Sequence, residues 1–225
     1  SPFACEHEFW WDMDLGKQQL CLHGFIDRID ANDDFMRIID YKSSKKTMSE
    51  TDFCAGLQLQ LCAYALYAYE KWGKRMLGAF YYSLKKENIN GEAGKLKRRP
   101  VAYIPMDKAD FRRLQKNERR LRGWVMNEAI EAMDDDGTHI QGVRCNKDSE
   151  LKASRLYDIE ELKEMMIHLF THITDKILSG DIACEPSNDA CTFCPYHDIC
   201  RFHGYVKIKE PIVGFEKEKA HADME

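Results

Sequence analysis

Apolar and polar residues alternate along two neighbouring segments, LCLHGFIDRID and MRIIDYKSS, and this period predicts two β-strands. The segment ANDD between them has the composition of a tight turn, so we expect a hairpin centred near Asn32–Asp34, with residue i opposite roughly residue 67 minus i. That register places Asp27 opposite Asp40. Facing carboxylates repel each other, and ionised acids near apolar neighbours are costly. We therefore expect a positive charge between them, either Lys42, which shares a strand face with Asp40, or a hard divalent cation.

The same patterns predict the remaining elements. Residues 1–18 should begin the sheet with a strand around Glu8, and the apolar run Met76–Ser83 should be a strand buried on both faces. Residues 134–156 show no clear period. The other predicted elements are a helix from about Phe53 to Trp72 with Ser49 or Thr51 as N-cap, a short strand at 101–105, an amphipathic helix from Asp107 to about Met133, and a helix from Ile159 to Leu178 ended by Ser179 and Gly180.

Length and charge limit the function classes. A chain of 225 residues can bury one good core, and it contains no apolar run near the length of a membrane span. No secretory signal pattern is visible, so we expect a cytoplasmic protein without membrane contact. The net charge of −5 means that nucleic acid would have to bind a local basic surface, for which the candidates are residues 95–99 and the segment Phe111–Arg122.

Three strings in this order, GFIDRID, IDYKSS and LQLQLCAY, resemble the nuclease motifs of the RecB/AddB branch of the PD-(D/E)xK superfamily. The resemblance implies a restriction-endonuclease-like α/β core, a mixed sheet flanked by helices, that hydrolyses DNA with Mg²⁺ or Mn²⁺. Gln60 is preferred to Gln58 because it keeps the Q-x3-Y spacing of the family. The residues implied are Asp27, Asp40 and the backbone carbonyl of Tyr41 as metal ligands, Lys42 as the residue that assists the attacking water, and Gln60 and Tyr64 as residues lining the site.

A cysteine cluster near the C-terminal end is the second motif. Nine cysteines without a secretory context favour reduced thiols or a metal site, and Cys191, Cys194 and Cys200 follow a C-x2-C-x5-C pattern typical of soft-metal ligation. The pattern resembles the [4Fe–4S] staple of AddB-type nucleases, which takes a fourth cysteine from far upstream. Cys184 and Cys5 are weaker candidates for that ligand, so we expect it outside this chain, together with a motif-one histidine. Zinc is the chemical alternative.

Other candidate ligands have simpler interpretations. Glu8 is more readily an exposed strand charge than a metal ligand, and Asp30 is expected to cap the turn or to pair with Arg28 or Arg37. His168 and His172 are spaced i,i+4 on a predicted helix, but HLFTH lacks the glutamate of a HExxH zinc site.

Taken together, we expect a nuclease core at residues 1–180, a cysteine-rich metal or iron–sulfur staple at 181–204 and a polar tail at 205–225. By resemblance, the function is that of an Mg²⁺-dependent DNA exonuclease domain in an AddB-like subunit that acts with a helicase subunit in double-strand break repair and recombination. The alternatives are an iron–sulfur nuclease of CRISPR adaptation, or a DNA-binding or helicase-docking domain whose nuclease centre is unused.

Overall fold

Five strands form the main sheet in the spatial order β1-β2-β3-β4-β5, and two short strands form a second sheet. The computed structural model describes residues 2–84, 120–126, 132, 137–145, 151–186, 190–192, 194–200, 202 and 209–215. The strands are β1 (Pro2–Asp14), β2 (Gln19–Ala31), β3 (Phe35–Lys42), β4 (Arg75–Ser83), β5 (Arg122–Val125), β6 (Val143–Cys145) and β7 (Leu151–Ala153). The helices within the described residues are α1 (Glu50–Cys54), α2 (Gln60–Trp72) and α3 (Ile159–Leu178).

The hairpin β2–β3 has the predicted register. Its antiparallel pairs run from Ala31–Met36 to Arg28–Ile39, so residue i lies opposite residue 67 minus i, as predicted. Asn32 closes the turn, because its side-chain Oδ1 accepts hydrogen bonds from the backbone of Asp34 and Phe35. This asparagine turn confirms the hairpin prediction.

Strand β4 is a buried interior strand of the sheet, as its apolar sequence predicts. It pairs in parallel with β3 and antiparallel with β5, and α2 makes the crossover between β3 and β4. The prediction of a helix from Asp107 to Met133 is wrong at Arg122–Val125, which is strand β5. The predicted helical segment 107–119, the strand 101–105 and the basic stretch 95–99 lie outside the described residues.

The helix predicted from about Phe53 to Trp72 is two helices. Helix α1 begins after the predicted N-cap Ser49, whose side chain accepts a hydrogen bond from the backbone of Asp52. It ends before Gly56, which has a φ of 77°, a backbone conformation that glycine adopts without a steric penalty. Helix α2 then starts at Gln60, later than the single predicted helix, and ends at the predicted residue, Trp72.

Residues 134–156 contain more regular structure than the sequence pattern suggested. Strands β6 and β7 pair antiparallel, and the buried side chain of Val143 joins a hydrophobic cluster with Ile39, Phe80 and Val125 of the main sheet. Three-residue strands are too short to show a period. Helix α3 has the predicted bounds, and Gly180, with a φ of 72°, follows its last turn.

The chain divides into two compact units. The first comprises residues 1–11, 22–48 and 60–162, and the second comprises residues 12–21, 49–59 and 163–225. In the second unit, Phe53 stacks on Phe215, and the carbonyl of Cys54 accepts backbone hydrogen bonds from Ile212 and Val213. No helix among the described residues has the length and apolar character needed to cross a membrane.

Candidate active site

The carboxylate of Asp27 lies where β2 and β3 stop pairing. The last ladder pair is Arg28–Ile39. Beyond it, the backbone N–H of Tyr41, two residues after Ile39, donates a hydrogen bond of 2.6 Å to Oδ2 of Asp27, one residue before Arg28. The side chain thus replaces the next strand–strand contact rather than facing Asp40 as a ladder pair. One oxygen of Asp27 is fixed by the backbone, next to Asp40.

Asp40 is a buried acid, with 2% of its surface exposed. Burial raises the pKa of Asp40 above its ordinary value, and the negative charge of Asp27 adds to this effect, whereas Lys42 and Lys46 act in the opposite direction. The nearest charge is Lys42 Nζ, 2.7 Å from Asp40 Oδ2. The contact lacks hydrogen-bond geometry, so Oδ2 is a buried oxygen that no directed donor among the described residues satisfies.

A chain of polar contacts leads from Lys42 to helix α2. Lys42 Nζ donates to Gln60 Oε1 at 2.9 Å, and Gln60 Nε2 donates to the hydroxyl of Tyr64, also at 2.9 Å. Gln60 opens the helix and Tyr64 follows one turn later, so both side chains reach the same side of the helix. The structure therefore brings Lys42, Gln60 and Tyr64 together, whereas Gln58 bonds elsewhere, to Asp52 and to the backbone of Ser49.

Tyr64 is positioned by a close approach between a strand and an aromatic ring. Its ring packs edge-on against Phe9, with centroids 5.6 Å apart. A Cβ atom on Gly24 would lie 3.0 Å from the ring of Phe9 and 3.8 Å from that of Tyr64. The glycine that opens the GFIDRID motif makes room for this packing.

Tyr81 and Lys46 were not predicted from the sequence. Tyr81 is the parallel-strand partner of Asp40, and Lys42 and Lys46 place their Nζ atoms 5.5 and 5.3 Å from its ring centroid. Burial raises the pKa of Tyr81 to about 12, with Asp40 and Tyr64 contributing. The buried phenol thus stays neutral and offers its ring face to two cations. The lysine pair that ends IDYKSSKK was the available signal for Lys46.

The second aspartate of the DRID string has a structural role. Asp30 pairs with Arg28 at 2.7 Å and with Arg37 at 2.9 Å, so it makes both of the predicted ion pairs. Burial alone would raise the pKa of Asp30, but the hydrogen bonds from the two arginines outweigh it and hold the pKa below the ordinary value. Asp30 and Asp40 are therefore two buried acids of the same hairpin with opposite shifts.

Glu8 and the pair His168 and His172 have the simpler surface roles expected from the sequence. Glu8 Oε1 lies 2.9 Å from His23 Nε2 on the neighbouring strand, and both side chains are exposed. His168 is exposed and His172 half-buried on α3, in agreement with a surface pair.

The cysteine-rich lobe is not confirmed. Cys184 Sγ lies 4.0 Å from Cys200 Sγ, and burial together with the neighbouring thiols Cys200, Cys191 and Cys194 raises the pKa of Cys184. Cys5 is an exposed residue of β1. Within the described part of the chain, no three His, Cys, Asp or Glu side chains are grouped closely enough to hold a metal ion.

The donors at the Asp27–Asp40 site nevertheless have the chemistry that Mg²⁺ prefers. Two carboxylates of one hairpin lie close together, and one of their oxygens is buried without a directed donor. A hard cation binds a few carboxylate and carbonyl oxygens and completes its shell with water and phosphate. Such a cation would offset both the burial of Asp40 and the repulsion from Asp27.

The family comparison agrees with this geometry. The model of the PD-(D/E)XK nuclease superfamily matches residues 1–201. The chain belongs to the PD-(D/E)XK nuclease superfamily. Its mixed five-stranded sheet with helices is the expected fold.

Curated relatives of this PD-(D/E)XK chain share one name, which describes a subunit of an ATP-dependent helicase/deoxyribonuclease. The protein from Clostridium tetani (strain Massachusetts / E88) is 32% identical over 218 residues, which cover 84% of this chain and 18% of the relative. Those from Clostridioides difficile (strain 630) and Symbiobacterium thermophilum (strain DSM 24528 / JCM 14929 / IAM 14863 / T) are each 29% identical, covering 84% and 89% of this chain. The chain spans less than a fifth of the length of these relatives, 18% to 19%.

Proposed function

We propose that this domain is a metal-dependent deoxyribonuclease that hydrolyses phosphodiester bonds with the residues of the Asp27–Asp40 site. The observation that supports it most directly is the contact between Asp40 and Lys42. A buried carboxylate oxygen lies 2.7 Å from an amine, in a geometry that leaves the oxygen without a directed hydrogen bond. An acid held only to stabilise the fold would be expected to have its oxygens fully bonded, as Asp30 does.

Asp27, Asp40 and the backbone carbonyl of Tyr41 are the proposed ligands of Mg²⁺ or Mn²⁺. When bound, such an ion polarises the scissile phosphate and lowers the pKa of a coordinated water. The protein's part is to hold the two carboxylates in place. Asp27 is fixed by the backbone N–H of Tyr41, and Asp40 is fixed by its central position on β3 beside β4.

Lys42 is the proposed residue that positions the attacking water and stabilises negative charge on the phosphate in the transition state. Its ammonium group is directed by Gln60, which is itself held by Tyr64. This chain of contacts limits the positions open to a long, flexible side chain. A residue held in this way loses less freedom when substrate binds.

The activity of the longer protein is also a proposal. The shared name of the relatives supports a role as the nuclease part of a helicase–nuclease subunit. By extension, the longer protein would act with a partner helicase on DNA ends in the cytoplasm, in double-strand break repair and recombination. Copurification of the full-length protein with a helicase subunit tests the partnership. Degradation of linear but not circular single-stranded DNA tests exonuclease action.

A [4Fe–4S] cluster on Cys191, Cys194 and Cys200 is proposed for the longer protein, with a fourth cysteine from outside this chain. The thiolate donors suit soft metals, and Cys184, 4.0 Å from Cys200, is the competing fourth ligand. A visible absorption spectrum of anaerobically purified full-length protein separates iron from zinc. Cys184→Ala should keep the iron absorption, whereas Cys200→Ala should lose it.

Cleavage of an end-labelled oligonucleotide with and without Mg²⁺ tests the proposed activity. Asp40→Ala and Lys42→Ala should each lower the rate by a factor on the order of 10² or more, because each removes a group that acts on the developing charge. Asp33→Ala, at the exposed hairpin turn, is the matched control and should cleave normally. Cleavage that is independent of Mg²⁺, or unchanged in Asp40→Ala, would overturn the proposal and leave a DNA-binding or docking module.

A further inference from the structure

A basic cleft lies in the first unit, outside the catalytic residues. It has a volume of about 640 Å³ and is lined by the start of β5, the β6–β7 pair and the loop after β3. The described lining contains no Asp or Glu. Its five basic residues, in a chain of net charge −5, are the exposed or half-buried Lys45, Arg120, Arg144 and Lys152 and the buried Arg122.

Two of these cations face each other across strands. Arg144 of β6 is the antiparallel partner of Lys152 of β7, and both side chains are exposed. Like charges in directly opposite positions destabilise a two-stranded sheet. Val143, next to Arg144 on β6, is buried in the hydrophobic cluster. Because successive residues of a strand point to opposite faces, Arg144 and its partner Lys152 lie on the exposed face of the strand pair. An anion that bridges them would remove the repulsion.

Arg120 is held in place by neutral groups. Its guanidinium donates to the backbone carbonyls of Thr138 and Gly137, each at 3.1 Å. These bonds orient the side chain but carry no opposing formal charge. A positioned guanidinium of this kind is suited to phosphate recognition.

The cleft is adjacent to the catalytic centre along the sheet. Asp40 pairs with Tyr81, and Tyr81 pairs with Arg122, so Arg122 is two strands away from the proposed metal ligand, roughly 10 Å at the usual strand spacing. Lys45, three residues after Lys42, also lines the cleft. The cleft and the active site therefore share the loop that follows β3.

We propose that this cleft binds the phosphate backbone of the DNA strand next to the scissile bond. The inference rests on the proposed nuclease function, because it identifies the ligand as a continuation of the substrate. Positive side chains at separated positions match successive phosphates, and no base-reading group is required. Binding here should therefore be independent of sequence and strongly dependent on salt.

The test measures binding of the full 225-residue chain to a fluorescent single-stranded 12-mer in EDTA, so that no cleavage occurs. Arg144→Ala with Lys152→Ala should weaken binding about tenfold near 0.1 M salt. The slope of log K against log salt should become shallower by about 1.4, which corresponds to two phosphate contacts. The matched control, Lys17→Ala with Lys71→Ala, removes two exposed lysines outside the cleft and should change neither quantity.

A second variant separates charge from misfolding. Arg144→Lys with Lys152→Arg keeps both cations and should bind within about twofold of the native chain, since the backbone contact depends on charge. Native affinity and an unchanged salt slope in the double alanine variant would overturn the inference, as would equal losses in the control. Because binding is measured without metal, absence of cleavage by the native chain would contradict only the nuclease proposal.

Discussion

Asp30 and Asp40 are two buried carboxylates of one hairpin, and their surroundings shift their pKa values in opposite directions. Two arginines bond to Asp30 and hold its pKa below the ordinary value, despite its burial. Burial and the neighbouring Asp27 raise the pKa of Asp40, and Lys42 offsets this only in part. The contrast separates an acid whose charge is compensated by two arginines from one whose charge is disfavoured by burial.

Asp40→Asn should stabilise the protein in metal-free buffer at pH 7 by about 1 kcal/mol. Since the folded pKa of Asp40 is raised, the folded state favours the protonated acid, and its contribution to stability is lost as pH rises through that pKa. Asparagine has no charge to bury. The gain should shrink as pH falls towards 3.8, the ordinary value, because native Asp40 then becomes neutral as well.

Urea unfolding at pH 7, 5 and 4 in EDTA measures this effect, with the exposed Asp33→Asn as control. A destabilised Asp40→Asn at pH 7 would show that Lys42 fully compensates the buried charge. In that case Asp40 would not be an unsatisfied carboxylate.

Asp30→Asn should have the opposite effect and cost about 2 to 3 kcal/mol at pH 7, because it leaves two arginines without their buried partner. The folded pKa of Asp30 is lowered, so its contribution is present above 3.8 and is lost as pH falls through the folded value. The native protein should therefore have a larger free energy of unfolding than Asp30→Asn above about pH 4, and the difference should disappear only in stronger acid. The same urea series measures it, and a cost that is constant down to pH 2 would contradict the charge-based explanation.

Gln60 and Gln58 provide a matched pair of substitutions. Gln60→Ala removes the acceptor that directs Lys42 and should slow cleavage about tenfold with little loss of stability, because the side chain is exposed. Gln58→Ala removes the contacts to Ser49 and Asp52 at the start of α1 and should cost about 1 kcal/mol with normal cleavage. Oligonucleotide cleavage and thermal unfolding of both variants test this assignment. Equal activity in the two would remove Gln60 from the site.

The sequence predicted the fold correctly where turn composition and local patterns of apolar residues agree with the burial in the structure. The Asn32 turn determined the hairpin register, and an apolar run long enough to be covered on both faces identified β4. The pairing of Gln60 with Tyr64 follows from their i,i+4 spacing on a predicted helix, which is visible in the pattern.

The errors have physical causes. The spacing of Leu114, Leu121 and Trp124 suits a helix, but Arg122–Val125 pairs with β4 and buries Trp124 completely, so tertiary contacts decided its conformation. The helix break at Gly56 depends on one backbone angle. The contact from Tyr41 N to Asp27 depends on the point at which two strands separate, which no residue period records.

Diffraction from crystals grown with Mn²⁺ tests the central claim most directly. An anomalous difference map recorded at the manganese edge should show a peak about 2.1 to 2.2 Å from carboxylate oxygens of both Asp27 and Asp40. The peak should be absent in Asp40→Ala crystals grown under the same conditions. A native crystal with no peak beside either carboxylate, at a Mn²⁺ concentration that supports cleavage, would contradict the account.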